Sequence, residues 1–488
     1  MSGPLLDPRT APSFPKAAHN LLRDAQLRKN VHHATSVIQN KRARVVAELG
    51  DWEQLRLAGE RIREHTMTHL DAYLEQFEMN CTRAGGVVHW ARDAEEARQI
   101  VVRLAKEAIA AEQRESPSPA EILKIKSMTT EEIGLNGALE AAGIRPYETD
   151  LAELIIQLGR DKPSHIVVPA LHKNRQQIHE IFQREMHLPD LGHSPEDLAE
   201  AARLFLREKF LRVPTAVSGA NFLIAETGGV CIVESEGNGR MCLTLPRTLI
   251  TVAGIDKVIP RFRDLEVFLQ LLPRSATGER MNPYNSIWTG VSAGDGPRAF
   301  HVVLMDNARS GILADKESRQ TLNCIRCGAC QNVCPVYRQT GGQAYGSVYA
   351  GPIGAILTPQ LQQMHYAESL PFASSLCGAC YEVCPVKINI PEVLIHLRNK
   401  VVEQKRLTGE ALAMKIMATI FQSERRFRAA QRLGRMAEAP LVRKDGQGVG
   451  WIGWLPGMLG GWTQVRDLQE MPKQTFRDWW EKRGRDGN

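Results

Sequence analysis

Ten cysteines stand among 488 residues, and seven of them fall between Cys324 and Cys384. The first run reads Cys324-Ile-Arg-Cys327-Gly-Ala-Cys330-Gln-Asn-Val-Cys334-Pro335, the second Cys377-Gly-Ala-Cys380-Tyr-Glu-Val-Cys384-Pro385. A C-x2-C-x2-C-x3-C-P run is a ligand pattern for a pair of iron–sulfur clusters. Three thiolates at two-residue gaps wrap a short loop over one face of an iron–sulfur cube. The fourth begins a helix, turns away and reaches the other cluster. This crossing assigns Cys324, Cys327, Cys330 and Cys384 to cluster one, and Cys334, Cys377 and Cys380 to cluster two. A complete second run would carry cysteine at 374, where this chain has Ser374. Cluster one is expected to be 4Fe-4S. Cluster two is expected as 4Fe-4S with a non-cysteine fourth ligand, as 3Fe-4S, or as a cluster completed by another chain.

Two other chemistries use cysteine this densely. Disulfides need an oxidising compartment. The opening MSGPLLDPRTAPSFPK has no basic stretch followed by an apolar core, so no export signal is expected. Zinc sites need paired C-x2-C hooks with four ligands each, whereas here seven cysteines share one pattern with two Cys-Pro ends. With 43% hydrophobic and 24% charged residues the composition is that of a soluble globular protein. No apolar run reaches the roughly 18 residues of a membrane-spanning helix. A net charge of +6 is too small to argue for nucleic acid. The expected location is the cytoplasm. Cys81, Cys231 and Cys242, outside the runs, are expected to be small buried hydrophobes.

Stepping outward along the chain gives four expected regions. Residues 1–90 form an N-terminal helical region. Residues 91–305 alternate helices with short apolar strands and predict an α/β layer domain. Its helices are expected over Ala94–Gln113, Leu151–Leu158 and Arg175–Met186, with another opened by Ser194 as N-cap and Pro195 at N1. Strands are expected at Glu121–Lys126, Ile144–Tyr147 and His165–Ala170. Thr129 and Glu132 read as a capping box for a helix that ends before Gly143. Asn238-Gly239 reads as the turn of a hairpin between Gly229–Glu234 and Met241–Leu245. That pairing keeps Cys231 about 13 Å from disulfide register with Cys242. Residues 306–400 form the two-cluster module. Residues 401–488 form a helical, basic, Trp-rich extension holding five of the eight tryptophans. The extension suits a wrap around its own protein or a partner, or peripheral association with a membrane surface.

A second candidate site lies where the first expected strand gives way to a helix. Lys126, Ser127 and Thr129 stand there, and backbone N–H groups at such a junction favour an anion such as a carboxylate. Glu132, Asn136 and Glu226 are candidates to line the same cleft. The alternative for Thr129 and Glu132 is capping alone. No G-x-G-x-x-G links a strand to a helix, so neither a flavin nor a nicotinamide fingerprint stands out. No catalytic residue is assigned.

The layout resembles the lactate utilization protein B family of LUD-domain iron–sulfur proteins. The segments that carry the resemblance are KIKSMTTEEIGLNGALEAAGIRPYETDLAELIIQL, PSHIVVPALHK, ETGGVCIVESEGNGRMCLTLPRTLI, CIRCGACQNVCPVY, SSLCGACYEVCPVKI and GWTQVRDLQEMPKQTFRDWW. The resemblance implies an electron-transfer subunit of a complex that oxidises L-lactate to pyruvate. Its implied partners are a cysteine-rich subunit of heterodisulfide-reductase type and a separate LUD-domain subunit. It also implies a three-layer α/β/α domain like those of CoA-transferases, beside a helical ferredoxin-type module. The seven-cysteine pattern, Ser374 included, is similar to the family's own. The alternatives are an iron–sulfur subunit of another 2-hydroxy-acid oxidoreductase, such as one for glycolate, and a LUD domain that serves as a small-carboxylate-binding module.

Overall fold

The computed structural model describes residues 7–115, 118–405, 408–464 and 466–485. The chain divides into two compact units, Met1–Val401 and Val402–Asn488.

The first unit opens with α1 (Phe14–Leu21), α2 (Ala25–Ala47), α3 (Trp52–Thr68) and α4 (Leu70–Arg83). The Asp24 carboxylate caps α2 by accepting from the Leu27 amide at 2.9 Å. Leu27 and Val31 of α2 and Leu70, Leu74 and Phe77 of α4 enter the main core. The helical arm is therefore packed into the same interior as the strands that follow.

Ten strands come next: β1 (Val87–Ala91), β2 (Glu121–Lys124), β3 (Arg145–Glu148), β4 (Thr215–Ser218), β5 (Phe222–Ile224), β6 (Gly229–Glu234), β7 (Thr248–Gly254), β8 (Val258–Ile259), β9 (Tyr284–Trp288) and β10 (Ala299–Met305). Six form a parallel sheet in the order β1-β10-β7-β4-β2-β3. A second sheet, β8-β5-β6-β9, is mixed. Both faces of the parallel sheet are covered, which is why β7 reads as a nearly continuous apolar run. Ile250 and Val252 face the helix Ala94–Glu115 through Ala97, Val101 and Leu104. Leu249 and Ala253, one residue out of step, face the main core.

The helix Leu151–Leu158 has the expected bounds. Ser194 caps the helix Pro195–Arg212 with proline at its first position, also as expected. Three expectations are corrected. Residues 165–170 form a loop and not a strand. There the ring of His165 accepts the amides of Val167 and Val168, so these donors bond to a side chain instead of a ladder. Asn238-Gly239 does not close a hairpin, because it opens the helix Asn238–Thr244. The Glu234 carboxylate takes the amides of Gly237 and Arg240 and so draws the chain into that helix, while β6 pairs with β5 and β9. Ser127, not Thr129, is the N-cap: its Oγ accepts from Thr130 N, and Thr129 sits inside the helix Met128–Glu132. Left-handed Gly134 separates that helix from Leu135–Ala141.

Beyond β10 the chain crosses to the carboxyl ends of the parallel strands, the edge where α/β sheets present their ligand crevices. Here the cysteine-rich segment covers that edge. Tyr349 Oη donates to Glu132 at 2.6 Å, and Arg326 pairs with Asp256 just after β7 at 3.2 Å. His165 bonds Asn332 at 3.0 Å.

The second unit holds the helices Gly409–Phe421, Glu424–Glu438 and Phe476–Arg485 and a small antiparallel sheet of Arg443–Lys444, Gly450–Ile452 and Leu468–Gln469. Arg428 joins two of its helices by bonding Glu424 at 2.8 Å and also Glu481. Trp454, Trp462 and Trp480 are exposed. Among the described residues no helix is long and apolar enough to cross a membrane.

Candidate iron–sulfur centre

Both cysteine runs fold by one local device. Gly328 and Gly378 take left-handed conformations (φ 73° and 83°), which glycine enters without steric cost. Each opens a five-residue helix, Ala329–Val333 or Ala379–Val383, and the chain leaves that helix extended at Cys334 or Cys384, so the fourth cysteine ends a helix where it was expected to begin one. The two short helices pack against each other, and Pro335 and Pro385 follow as helix stops.

This arrangement sorts the seven thiols. Cys327 is acted on by the charges of Cys384 and Cys324, and Cys330 by those of Cys327 and Cys324. Cys324, Cys327, Cys330 and Cys384 also line one cavity, together with Ile353 and Ile388. Cys380 is acted on by Cys334 and Cys377. Cys330 also feels Cys380, so the two groups adjoin. In the group of four, Cys327, Cys330 and Cys384 are buried and Cys324 is half-buried; in the group of three, Cys334 and Cys380 are buried and Cys377 is exposed. Ser374 has its Oγ on the Leu376 amide at 3.1 Å.

The donor set fits a large polynuclear centre. Burial, then the neighbouring thiols, pushes the Cys327 and Cys330 thiols far up. Burial also drives Cys380 up to about 12 and Cys384 to about 11. Thiolates crowded this way need a cationic centre among them. Backbone N–H groups stand ready: Arg326 N points at Cys324 Sγ (3.4 Å) and Ile388 N at Cys384 Sγ (3.3 Å). A tetrahedral zinc with bonds of about 2.3 Å would hold its sulfurs about 3.8 Å apart. Among the described residues, the one group of three His, Cys, Asp or Glu side chains with ligand atoms within 4.8 Å is Asp315, Glu317 and His396. The cysteine sulfurs are thus spread too widely for zinc, and a cube of iron and sulfide can span them.

The candidate anion site is not assembled as one cleft. Lys126 Nζ donates to Val167 O at 3.2 Å and lies 3.6 Å from Glu153. Ser127 caps its helix. Asn136 donates to Glu148 at 2.7 Å, beside the fully buried Lys124, which also binds Glu131 and Glu148 at 2.7 Å each. Glu132 is bound through both oxygens to Arg309 (2.8 and 3.0 Å) and accepts from Tyr349 and Asn307. Burial opposes its charge, yet Arg309 holds the carboxylate below its ordinary range. Glu226 is exposed elsewhere, where it takes the Phe262 amide.

Sequence reasoning missed Lys124, Asp256 and Arg309. They form buried ion pairs at the strand ends, with Arg309 Nε on Asp256 Oδ1 at 2.6 Å. Their only signal was position, as charges placed directly at or after apolar strands. Arg326 was in plain view inside the first cysteine run. Arg63 was detectable as a charge on the inward stripe of α3, beside buried Gly59, Thr66 and Met67. As expected, Cys81, Cys231 and Cys242 are buried and unpaired.

Comparison with known proteins matches three regions: a LUD domain over residues 74–305, a 4Fe-4S dicluster domain over 320–388, and the C-terminal region of lactate utilisation protein B over 396–485. The lactate utilization protein B of an Exiguobacterium species is 43% identical over 95% of this chain and 96% of its own. Lactate utilization protein B 1 of Bacillus mycoides is 42% identical over 96% of both chains. That of Geobacillus kaustophilus is 44% identical over 92% of both. On domain content and on identity over nearly the whole length, the chain belongs to the lactate utilization protein B family.

Proposed function

We propose that this chain is the iron–sulfur electron-transfer subunit of a complex that oxidises L-lactate to pyruvate. Removing two electrons and two protons from lactate yields pyruvate, and the electrons need a path to an acceptor. Iron–sulfur clusters supply one-electron transfer when bound. Cys324, Cys327, Cys330 and Cys384 hold a 4Fe-4S cluster in this reading; Cys334, Cys377 and Cys380 hold the second, which is 3Fe-4S or 4Fe-4S with a non-cysteine fourth ligand. The observation that carries the reading is the sorting of seven thiols into a largely enclosed four and an adjoining three.

The remaining residues orient the thiols and exclude water. The partners are a cysteine-rich subunit of heterodisulfide-reductase type and a separate LUD-domain subunit, and the site of work is the cytoplasm. The LUD domain takes the three-layer architecture of CoA-transferase-like domains, with its strand ends docked on the cluster module. Anaerobic co-purification with those subunits, followed by electron paramagnetic resonance after adding L-lactate, tests the proposal. Lactate-dependent reduction of two distinct iron–sulfur signals is expected. Protein that carries no iron, or clusters that stay oxidised in the assembled complex with lactate, would overturn it.

A further inference from the structure

We propose that Arg42 and Arg63, one from each of two helices of the N-terminal arm, are positioning residues that form a cationic cage beside the four-thiol site and raise the reduction potential of the cluster held there. The inference rests on the ligand reading above.

The placement is geometric. Arg42 on α2 donates through Nη2 to the carbonyl of Val383 at 3.1 Å, one residue before Cys384. Arg63 on α3 donates to the carbonyls of Val258 at 2.9 Å and Leu322 at 2.7 Å, the latter two residues before Cys324, and also to Asp256 O. Every acceptor found for these two guanidiniums is a neutral carbonyl. Arg63 is buried, and Nε of each arginine is buried with no hydrogen-bond partner. A buried cation without a counterion is costly. The negative groups the two arginines face include the cysteines: Arg42 acts with Cys327 and Cys384, and Arg63 first with the Asp256 carboxylate, which Arg309 and Arg326 already share, and then with Cys324. Burial pushes Arg63 down to about 10, which still leaves it charged at neutral pH.

Of the other charges nearby, Arg326 also acts on Cys324, and most of the rest are paired. Arg326 and Arg309 share Asp256, and Arg309 also holds Glu132. Arg56 carries Glu53 at 2.7 Å. Lys257, which also faces Cys324, is pushed by burial down to about 8 and adds to the positive side. At the three-thiol site the leading charge partners of Cys334 and Cys380 are other cysteines, and the cation beside its second run, Arg398, bonds the carbonyls of Pro371 and Ser374. Reduction adds one negative charge to a cluster that four thiolates already make anionic. An uncompensated cation in a dry bed favours the reduced state. At roughly 8 Å and an effective dielectric of about 20, one unit charge shifts a one-electron equilibrium by more than tenfold.

The test uses the full chain, reconstituted anaerobically with iron and sulfide, with iron content measured first. Potentiometric titration followed by electron paramagnetic resonance then reads each cluster. Arg42→Gln is expected to lower the reduced-to-oxidised ratio of the four-thiol cluster about tenfold at a fixed potential, which is 59 mV for one electron. The other cluster should stay in place, and Arg42→Lys should retain most of the wild-type midpoint. Arg63→Gln should act in the same direction. If its loss of three carbonyl contacts prevents loading, the half-buried Arg42 decides alone. An unchanged midpoint in fully loaded Arg42→Gln, or an equal shift of both clusters, overturns the cage. Wild-type protein that binds no iron overturns the ligand reading instead, and is recognised before any titration.

Discussion

The helices Ala329–Val333 and Ala379–Val383 repeat one turn-and-helix design, yet the two thiol sites they serve are unlike. Cys327, Cys330 and Cys384 are enclosed, and the half-buried Arg42 of α2 and the buried Arg63 of α3 approach the backbone just before Cys384 and Cys324. The other site has an exposed thiol at Cys377 and a serine at 374, whose carbonyl takes the part-exposed Arg398 at 3.0 Å. Tyr337 and Tyr345 pack beside Cys334 instead. A short motif can copy local geometry, but charge and dryness come from residues far away in sequence. The helical arm and the LUD domain finish one site and leave the other facing outward.

The largest expected effect breaks this contrast at its ligands. Cys330→Ser should remove the four-thiol cluster and lower iron content by roughly half, with a marked loss of thermal stability, because a packed interior loses its central group. Cys377→Ser acts on an exposed position. It should abolish or alter only the second signal and leave the melting temperature closer to wild type. Iron analysis and electron paramagnetic resonance on both variants check this. If Cys377→Ser collapses both clusters, the two sites are not separate units.

Next in size is the ionic seam between the LUD strand ends and the cluster module. Arg309→Met leaves Glu132 buried without its cationic partner and Asp256 with Arg326 alone in contact, and should cost about 3–5 kcal/mol, read from denaturant unfolding. The pH dependence has a definite sign. Burial raises both carboxylates, but Arg309, joined at Asp256 by Arg326, holds their folded values below the ordinary range. Their stabilisation is present above the unfolded pKa of about 4 and is lost as pH falls through the lower folded values. The variant should lose less on acidification than wild type does. An acid limb of equal steepness in both proteins would assign the seam no electrostatic role.

How far the sequence could be read follows the same division. The dicluster region was legible because thiol spacing alone marks a cluster loop, and Ser374 stood out for the same reason. The helix Pro195–Arg212 was legible from Ser194 and Pro195, whose capping chemistry is local. The loop at 165–170 was not, because its donors are held by the ring of His165. The helix at Asn238 was not, because Glu234 captures the amides that a hairpin would have used. Arg42 and Arg309 were invisible as site residues because each matters through a partner more than 175 positions away, and Arg63, detectable as an inward charge on α3, did not show what it meets for the same reason. Lys126 drew attention as the visible cation of the strand end, while Lys124, two residues earlier, is the one that is fully buried.

A smaller effect probes the same seam on its other side. Glu153 lines a cavity with Ser347 and Ala350 of the cluster module. Burial lifts its pKa to about 8, and Lys126 offsets this only in part. The folded protein therefore takes up a proton that the unfolded chain releases near pH 4, and the associated stability is lost as pH rises through about 8. Glu153→Gln does not titrate, so its melting temperature should match wild type near pH 4 and exceed it increasingly as pH rises from there to about 8. A difference between the two melting temperatures that stays constant from pH 4 to pH 8 would show that Glu153 is ionised in the folded state throughout.

The smallest expected change completes the comparison. Ser374→Cys restores the fourth position of the second run. The site is half-buried, and the Oγ it replaces holds only the Leu376 amide, a contact that sulfur can also accept. Folding stability should move by less than about 1 kcal/mol, as for a near-isosteric change with a weak local bond. The spectroscopic outcome carries the information. If the second cluster is 3Fe-4S, the variant should convert it to 4Fe-4S with four thiolates, and iron content should rise by one atom per chain. If it is already 4Fe-4S with a non-cysteine ligand, iron content stays constant and the added thiolate charge lowers its potential. If neither quantity moves, residue 374 lies outside the ligand sphere and the fourth position is filled from elsewhere. The outward-facing site would then be shaped by something other than its own motif, as the enclosed one is shaped by α2 and α3.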